Sequence, residues 1–240
     1  MTDNVWISLF SGGKDSSWAL YQALERGLPV ERLVTVHPDG DSYMYHVPAT
    51  NLTALAAESI GIDLDNVYPE AFSGTDATER GDAELEPLER HLSELADELA
   101  ASGKRLAGLT VGAVESEFQT ARVGAMADRL ESDVFAPLWQ RDPLELGTEM
   151  IAAGFDIRII AVAAGGLDAS WIGRRLDEQA LSELATLRDE YGVHPLGEGG
   201  EFETLVTDGP HMSREIAFEY EPEWDGTRGH VRITDAWLAE

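Results

Sequence analysis

Cysteine is missing from the 240-residue sequence. Its absence excludes disulfide bonds, thiolate metal sites and thiolate-bound clusters. It also excludes a glutaminase that depends on a cysteine nucleophile. Any nitrogen nucleophile that this chain uses must therefore arrive as free ammonia or on a partner.

Basic residues are scarce. The chain has 17 Lys and Arg against 45 Asp and Glu, a net charge of −28, and its only lysines are Lys14 and Lys104. Such an acidic surface indicates a salt-rich cytoplasm, as in halophiles, because dissolved ions screen the self-repulsion of the chain. A nucleic-acid partner is disfavoured, since its phosphates would be repelled and the densest basic cluster is Arg174-Arg175.

Long apolar runs and a basic N-terminal region are also missing, so the sequence predicts a cytoplasmic protein without a membrane partner. Strands and helices alternate through the first half, which predicts an α/β fold with a doubly wound parallel sheet. The predicted strands are 5–10, 32–37, 66–72 and 106–111, and the predicted helices are 16–26, 51–60, 84–101 and 118–130. Residues 73–82, rich in Gly, Thr and Asp, predict a mobile loop.

The pattern changes near residue 135, which predicts a second, smaller α+β domain and domain limits of 1–135 and 136–240. The second half has predicted helices at 144–153 and 178–191, a strand at 156–163 and an antiparallel pair at 214–220 and 230–237. No flexible linker marks the boundary. Two tightly docked lobes with a cleft between them are therefore expected.

The junction between the first strand and the first helix reads Ser11-Gly12-Gly13-Lys14-Asp15-Ser16. Its two glycines let a ligand approach the backbone, and the first amides of the helix point at that position together with the positive end of the helix dipole. Lys14 adds a full positive charge. The spacing fits neither the Walker loop nor the Gly-x-Gly-x-x-Gly fingerprint. The alternative is a glycine turn in which Asp15 or Ser16 only caps the helix.

Two further motifs contain candidate functional residues. The turn from Gly112 to Arg122 has Ser116 and Gln119 at the spacing of a capping box, whereas Arg122 could reach a phosphate or a carboxylate at the strand ends. The run from Glu198 to Thr204 places a glycine pair between acids, which allows a sharp turn that presents carboxylates into a cleft. Its alternative is an acidic surface loop.

The Ser11–Ser16 run resembles the pyrophosphate loop (PP-loop) of the ATP pyrophosphatases, and nearly the whole chain resembles the diphthine–ammonia ligase family in a short, archaeal-type form. The Glu-Gly-Gly-Glu-Phe-Glu-Thr run narrows the superfamily to this family. The other matching segments are Tyr45–Pro48, Gly112–Arg122, Pro137–Trp139, Glu149–Phe155, Gly166–Asp168 and Tyr191–His194. Gly124 departs from the family pattern, which usually has an acid there.

The resemblance implies ATP-dependent amidation of diphthine on the translocation elongation factor to diphthamide, with ammonia as the nitrogen source and release of AMP and pyrophosphate through an acyl-adenylate. ATP and Mg²⁺ are the implied cofactors. The 1–135 domain would bind ATP, and the 136–240 domain would lie on the substrate side. A homo-oligomer is compatible with the resemblance.

The resemblance also distributes roles over the site. Lys14, Asp15, Glu198 and Glu201 are the predicted catalytic residues; Asp15 would also hold Mg²⁺, and the two glutamates would hold ammonium and remove its proton. The predicted nucleotide-binding residues are Ser11, Gly12, Gly13, Lys14, Asp15, Ser16, His37, His46, Gly112 and Ala113. The predicted substrate-binding residues are Ser116, Gln119, Arg122, Glu203 and Thr204.

Two other functions are compatible with the same motifs. One is a different ammonia- or amine-dependent ATP pyrophosphatase that acts on a small carboxylate or a tRNA base. The other is a nucleotide-binding sensor of similar fold without turnover.

Overall fold

A computed structural model of the chain describes residues 3–37, 49–68, 77–112 and 117–240. The first half alternates strands with helices: β1 (Asp3–Leu9), α1 (Lys14–Glu25), β2 (Val30–Val36), α2 (Ala49–Ile60), β3 (Asp63–Val67), α3 (Ala77–Ala101), β4 (Lys104–Thr110), α4 (Glu117–Arg129) and β5 (Asp133–Phe135). The five strands form one parallel sheet in the order β3-β2-β1-β4-β5. The predicted α/β class is confirmed.

Both faces of this sheet are covered by helices. On one face, Trp18 and Leu20 of α1 and Leu52 of α2 belong to a buried core with Leu33 of β2. On the other face, Ile7 of β1 belongs to a second core with residues of α3 and α4 that include Leu92 and Met126. The strand order reverses between β1 and β4, and ligands of doubly wound sheets bind beyond the carboxyl ends of the strands at such a switch point.

The second half forms a separate antiparallel sheet. Its elements are α5 (Pro143–Ala152), β6 (Asp156–Val162), a short 3₁₀ turn (Ala169–Trp171), α6 (Glu178–Tyr191), β7 (Phe202–Asp208), β8 (Ile216–Trp224) and β9 (Gly229–Leu238). The strand order is β7-β6-β9-β8. This sheet packs on the α1 and α2 side of the parallel sheet through one shared core, in which the rings of Trp18 and Phe155 lie 5.3 Å apart.

Helix α3 and strand β3 differ from the sequence-based expectation. Helix α3 begins at Ala77, so residues 77–82 are helical and the prediction of a loop is wrong for them. The prediction failed because these residues are polar without an apolar stripe, and because Pro87, which suits the first turn of a helix, lies inside this one. Strand β3 is an edge strand that begins at Asp63, three residues before the predicted start, and its polar first half has no apolar alternation that would predict a strand.

Strands β5 and β7 were not predicted. Strand β5 has only three residues, and β7 starts at Phe202 inside the acidic glycine motif, where the glycines indicated a turn. Among the described residues, no helix combines the length and apolar character needed to span a bilayer. The domain limit near residue 135 stays a prediction.

Candidate active site

The Ser11–Ser16 loop leaves β1 at the switch point and leads into α1. Gly12 has a φ of +79°, which favours glycine, and Gly13 is the N-cap residue of α1 in an extended conformation. The Ser16 hydroxyl accepts from the Ser11 amide at 3.1 Å and donates to the Gly13 carbonyl at 3.2 Å. The N-cap position of α1 is therefore occupied by a residue without a side chain, and the interpretation of Asp15 or Ser16 as a mere cap is wrong.

Lys14 is the central cation of the site. Its side chain is almost fully buried, and its Nζ donates to Asp15 Oδ2 at 2.7 Å and to Glu198 Oε1 at 3.3 Å. Burial alone would lower the pKa of Lys14, but the charges and hydrogen bonds of Asp15 and Glu198 together raise it above its usual value. Lys14 is therefore a fixed positive charge beneath the strand ends.

Strand β7 of the second sheet contacts the loop directly. Thr204 Oγ1 accepts from the Lys14 amide at 3.2 Å, and the Val206 amide donates to the Gly12 carbonyl at 2.9 Å. A side chain on Gly13 would lie 3.3 Å from the Thr204 carbonyl oxygen. Both the loop and the acidic glycine motif thus belong to one site, and Thr204, predicted on the substrate side, contacts the nucleotide loop.

The segment between α6 and β7 is held by hydrogen bonds to its own backbone. Glu201 accepts from the His194 amide at 3.0 Å with Oε1 and from the Gly199 amide at 2.8 Å with Oε2. His194 Nδ1 accepts from the amides of Leu196 and Glu198 at 3.2 and 3.3 Å. Both Glu201 oxygens are therefore engaged by the backbone, and this geometry favours a structural role over the predicted contact with ammonium.

Gly112 lies at the end of β4, directly against the first turn of α1. A Cβ at this position would lie 2.5 Å from the Asp15 carbonyl carbon and 2.6 Å from the Ser16 nitrogen. Only a glycine lets the two backbones approach this closely. Gly112 was predicted to bind the nucleotide, and the structure gives it a packing role beside the loop.

The two family models of diphthamide synthase both match the chain. The model of the N-terminal domain matches residues 5–131, and the model of the C-terminal domain matches residues 142–238. The chain belongs to the diphthamide synthase family.

Diphthine–ammonia ligases from several organisms align along most of this chain. The diphthine–ammonia ligase of Danio rerio is 34% identical over 229 residues, which cover 89% of this chain and 86% of the relative. That of Mus musculus is 35% identical over 223 residues, 88% and 82% of the two chains. That of Schizosaccharomyces pombe is 32% identical over 232 residues, 94% of this chain but 38% of the longer relative.

A solved structure of a predicted subunit of a tRNA methyltransferase from Methanocaldococcus jannaschii aligns with 97% of this chain. The two sequences are 16% identical, the TM-score is 0.36, and the alignment covers 98% of the other chain.

The Asp15 carboxylate has one oxygen that fits a metal ion. Its Oδ2 accepts from Lys14, whereas Oδ1 is buried and has no hydrogen-bond partner among the described residues. The same part of the chain has no cluster of three or more His, Asp or Glu that could hold a metal. This fits Mg²⁺ in a nucleotide site, which takes one or two carboxylates and completes its shell with phosphate oxygens and waters.

The family member has an aromatic pair at the carboxyl ends of β2 and β3, of which the sequence analysis predicted one residue. His37 follows β2, and its ring stacks on Tyr68 at 4.8 Å, with Nε2 2.7 Å from Asn66 Oδ1. Tyr68 is 62% exposed. His37 was predicted, while Tyr68 and Asn66 were missed; the signal was an aromatic residue directly after the neighbouring strand. Adjacent strand ends place both rings at the edge where a base could stack.

The remaining candidates are placed only in part. His46, Ala113 and Ser116 lie outside the described residues, and of Gln119 only its position in α4 is described. Arg122 lies half-buried in the second turn of α4. Glu203 is exposed on β7, yet loss of water around its carboxyl raises its pKa. The roles predicted for these residues stay predictions.

Proposed function

We propose that this chain catalyses the ATP-dependent amidation of diphthine on the translocation elongation factor, which produces diphthamide. Membership of the diphthamide synthase family and the names of the relatives support this reaction. The observation that carries the proposal is the meeting of two motifs at Lys14. The nucleotide loop supplies the cation, and the Glu198–Thr204 segment contacts it from the second sheet.

The first half of the reaction activates the substrate. A carboxylate oxygen of diphthine attacks the α-phosphorus of ATP, the bond from that phosphorus to the α,β-bridging oxygen breaks, and pyrophosphate leaves. Lys14 and the first amides of α1 face the charge that builds on the leaving group. Asp15 would hold Mg²⁺, which supplies further positive charge to the phosphates.

The second half forms the amide. The nitrogen of ammonia attacks the acyl carbon, AMP leaves, and the nitrogen loses a proton. Glu198 is our candidate to accept that proton, because it is the acid of the motif that reaches Lys14. Glu201 is a weaker candidate, because backbone amides occupy both of its oxygens.

We also propose the cellular setting. The net charge of −28 supports a halophilic source with a salt-rich cytoplasm, and the resemblance to the short form of the family supports an archaeal one. We propose two partners: the elongation factor that carries diphthine, and free ammonium. The proposed division of labour assigns ATP binding to residues 1–135 and the substrate side to residues 136–240.

Release of pyrophosphate and AMP from ATP tests the function. We expect release in high salt only when both ammonium and the unamidated elongation factor are present, with one amide formed per pyrophosphate. Release without the elongation factor, but with a small carboxylate or a tRNA, would identify a different ATP pyrophosphatase. ATP binding without any release would identify a nucleotide sensor.

A further inference from the structure

We propose that His194 and Glu201 are positioning residues that hold Glu198 against Lys14. The inference concerns the site described above and rests on the proposed function for its kinetic consequences. It assigns neither side chain to the reacting atoms. Each acts through the backbone of the segment from residue 194 to residue 201, which we term the clasp.

The clasp is a short segment closed by two side chains. It follows the end of α6, where Gly192 has a φ of +74°. The carboxylate of Glu201, at one end of the clasp, accepts hydrogen bonds from the amide of His194 at the other end and from the amide of Gly199. Nδ1 of His194 in turn accepts from the amides of residues 196 and 198. Four backbone amides are therefore tied to two side chains, and Glu198 lies between the tied points.

The role of His194 needs an acceptor at Nδ1. Because that nitrogen accepts from two amides, a neutral ring keeps its proton on Nε2. Asparagine places a carbonyl oxygen at a similar distance from the backbone and can accept from nearby amides in the same way. Leucine has a similar volume but no acceptor. His194→Asn and His194→Leu thus distinguish the effect of the hydrogen-bond acceptor from the effect of side-chain volume.

The position of Glu198 governs Lys14. Burial opposes the charge of Lys14, and the carboxylates that face it, Asp15 from α1 and Glu198 from the clasp, support that charge. If the clasp loosens, Glu198 moves away, and Lys14 loses the hydrogen bond to Glu198 while it keeps the one to Asp15.

Kinetics give the first test. We expect His194→Leu and Glu201→Gln to lower kcat for pyrophosphate release by about 10–100-fold, with a smaller change in KM for ATP, because misplacement of a group by about 1 Å costs that much. His194→Asn should restore kcat to near wild type.

The matched control is Asp225→Ala. Asp225 also uses a carboxylate to accept backbone amides, those of Thr227 and Arg228, in the turn between β8 and β9. Its loss should leave kcat unchanged. A double variant, His194→Leu with Glu198→Gln, should be no slower than Glu198→Gln alone, since residues that act through one group are not additive. Additive losses would overturn the proposal.

A second readout does not depend on turnover. The chain has two lysines, Lys14 and Lys104, so ¹³Cε-lysine labelling gives two NMR signals, which Lys104→Arg assigns. At a single pH we expect the Lys14 signal to move from its wild-type position in His194→Leu and Glu201→Gln, because the Glu198 carboxylate leaves the ammonium group, and to keep that position in His194→Asn. A wild-type Lys14 signal in folded His194→Leu and Glu201→Gln would overturn the clasp even if the wild type proved to be inactive on diphthine.

Discussion

At the scale of single residues, Lys14 separates two carboxylates that would otherwise repel each other. The side chains of Asp15 and Glu198 are 25% and 22% exposed, so water relieves part of that repulsion. We propose that the same cation also stabilises the departing pyrophosphate.

We expect Lys14→Met to lower pyrophosphate release by roughly 10²–10³-fold, because the leaving charge loses its partner. The free energy of unfolding should fall by about 1–3 kcal/mol, since two part-buried carboxylates lose their counter-charge. Release assays and urea unfolding measure the two effects. Lys104→Met is the control: its exposed pair with Glu31 should contribute about 0–1 kcal/mol and nothing to turnover. A wild-type rate for Lys14→Met would refute the assigned role.

The sequence predicts features that are local along the chain better than contacts between distant residues. The Ser11–Ser16 loop was recognisable because its glycines, lysine and strand-to-helix context are all local in sequence. The contact of Thr204 with the Lys14 amide joins residues 190 positions apart, and no local pattern indicates it. Glu201 looked like a reacting acid because a sequence shows a carboxylate but not the amides that surround it.

At the scale of elements, the approach of β4 to α1 determines where the loop amides point. The missing side chain of Gly112 is what allows this contact. Gly124, inside α4, offers the opposite case, since a Cβ there meets no atom within 4 Å. These two glycines form a matched pair for testing the junction.

We expect Gly112→Ala to weaken Mg-ATP binding at least 10-fold and to lower the free energy of unfolding by about 1–3 kcal/mol, because overpacking must push α1 away from β4. Gly124→Ala should bind normally and gain about 0.5–1 kcal/mol from the higher helix propensity of alanine. Calorimetry and urea unfolding measure both. Normal binding by Gly112→Ala would show that the junction does not set the loop.

Helix α1 also packs on a titratable ring. His211 stacks on Phe155 at 5.2 Å and lies 6.1 Å from Tyr21 of α1, and neither ring nitrogen has a hydrogen-bond partner among the described residues. Burial lowers the pKa of His211 to about 4. The folded state therefore prefers the neutral ring, and the unfolded state takes up the proton first.

The stability from His211 is fully present above about pH 6.5 and is lost as the pH falls towards 4. Between pH 7.5 and 5 we expect the wild type to lose about 2 kcal/mol more than His211→Phe. Urea unfolding of both proteins in about 2 M KCl, which screens the net charge, isolates this difference. Parallel losses in the two proteins would show that His211 does not titrate in this range.

Element boundaries followed the sequence where an apolar stripe existed. Helix α6, 178–191, was predicted with its observed limits because Asp177 caps it and Gly192 ends it in a left-handed conformation. The start of α3 was missed because its first residues form a polar stretch that has no apolar stripe.

At the scale of the whole molecule, the charge of −28 is the dominant feature. We expect the melting temperature to rise by roughly 5–10 °C between 0.1 and 2 M KCl, about 2–3 kcal/mol, because the Debye length falls from about 10 Å to below 3 Å. Sucrose at equal osmolality, which screens no charge, should give a smaller rise. Equal melting temperatures at both KCl concentrations would contradict the halophilic interpretation.

The shared core and the pairing of Lys14 with Glu198 also set an order of events during synthesis. The two residues are 184 positions apart, and the core on the α1 side draws on both sheets. A nascent chain that has emerged only through β5 has the entire nucleotide loop but lacks the strand and the clasp that complete it. The contacts of the loop with Thr204 and Glu198 can therefore form only after the last third of the chain has begun to leave the ribosome.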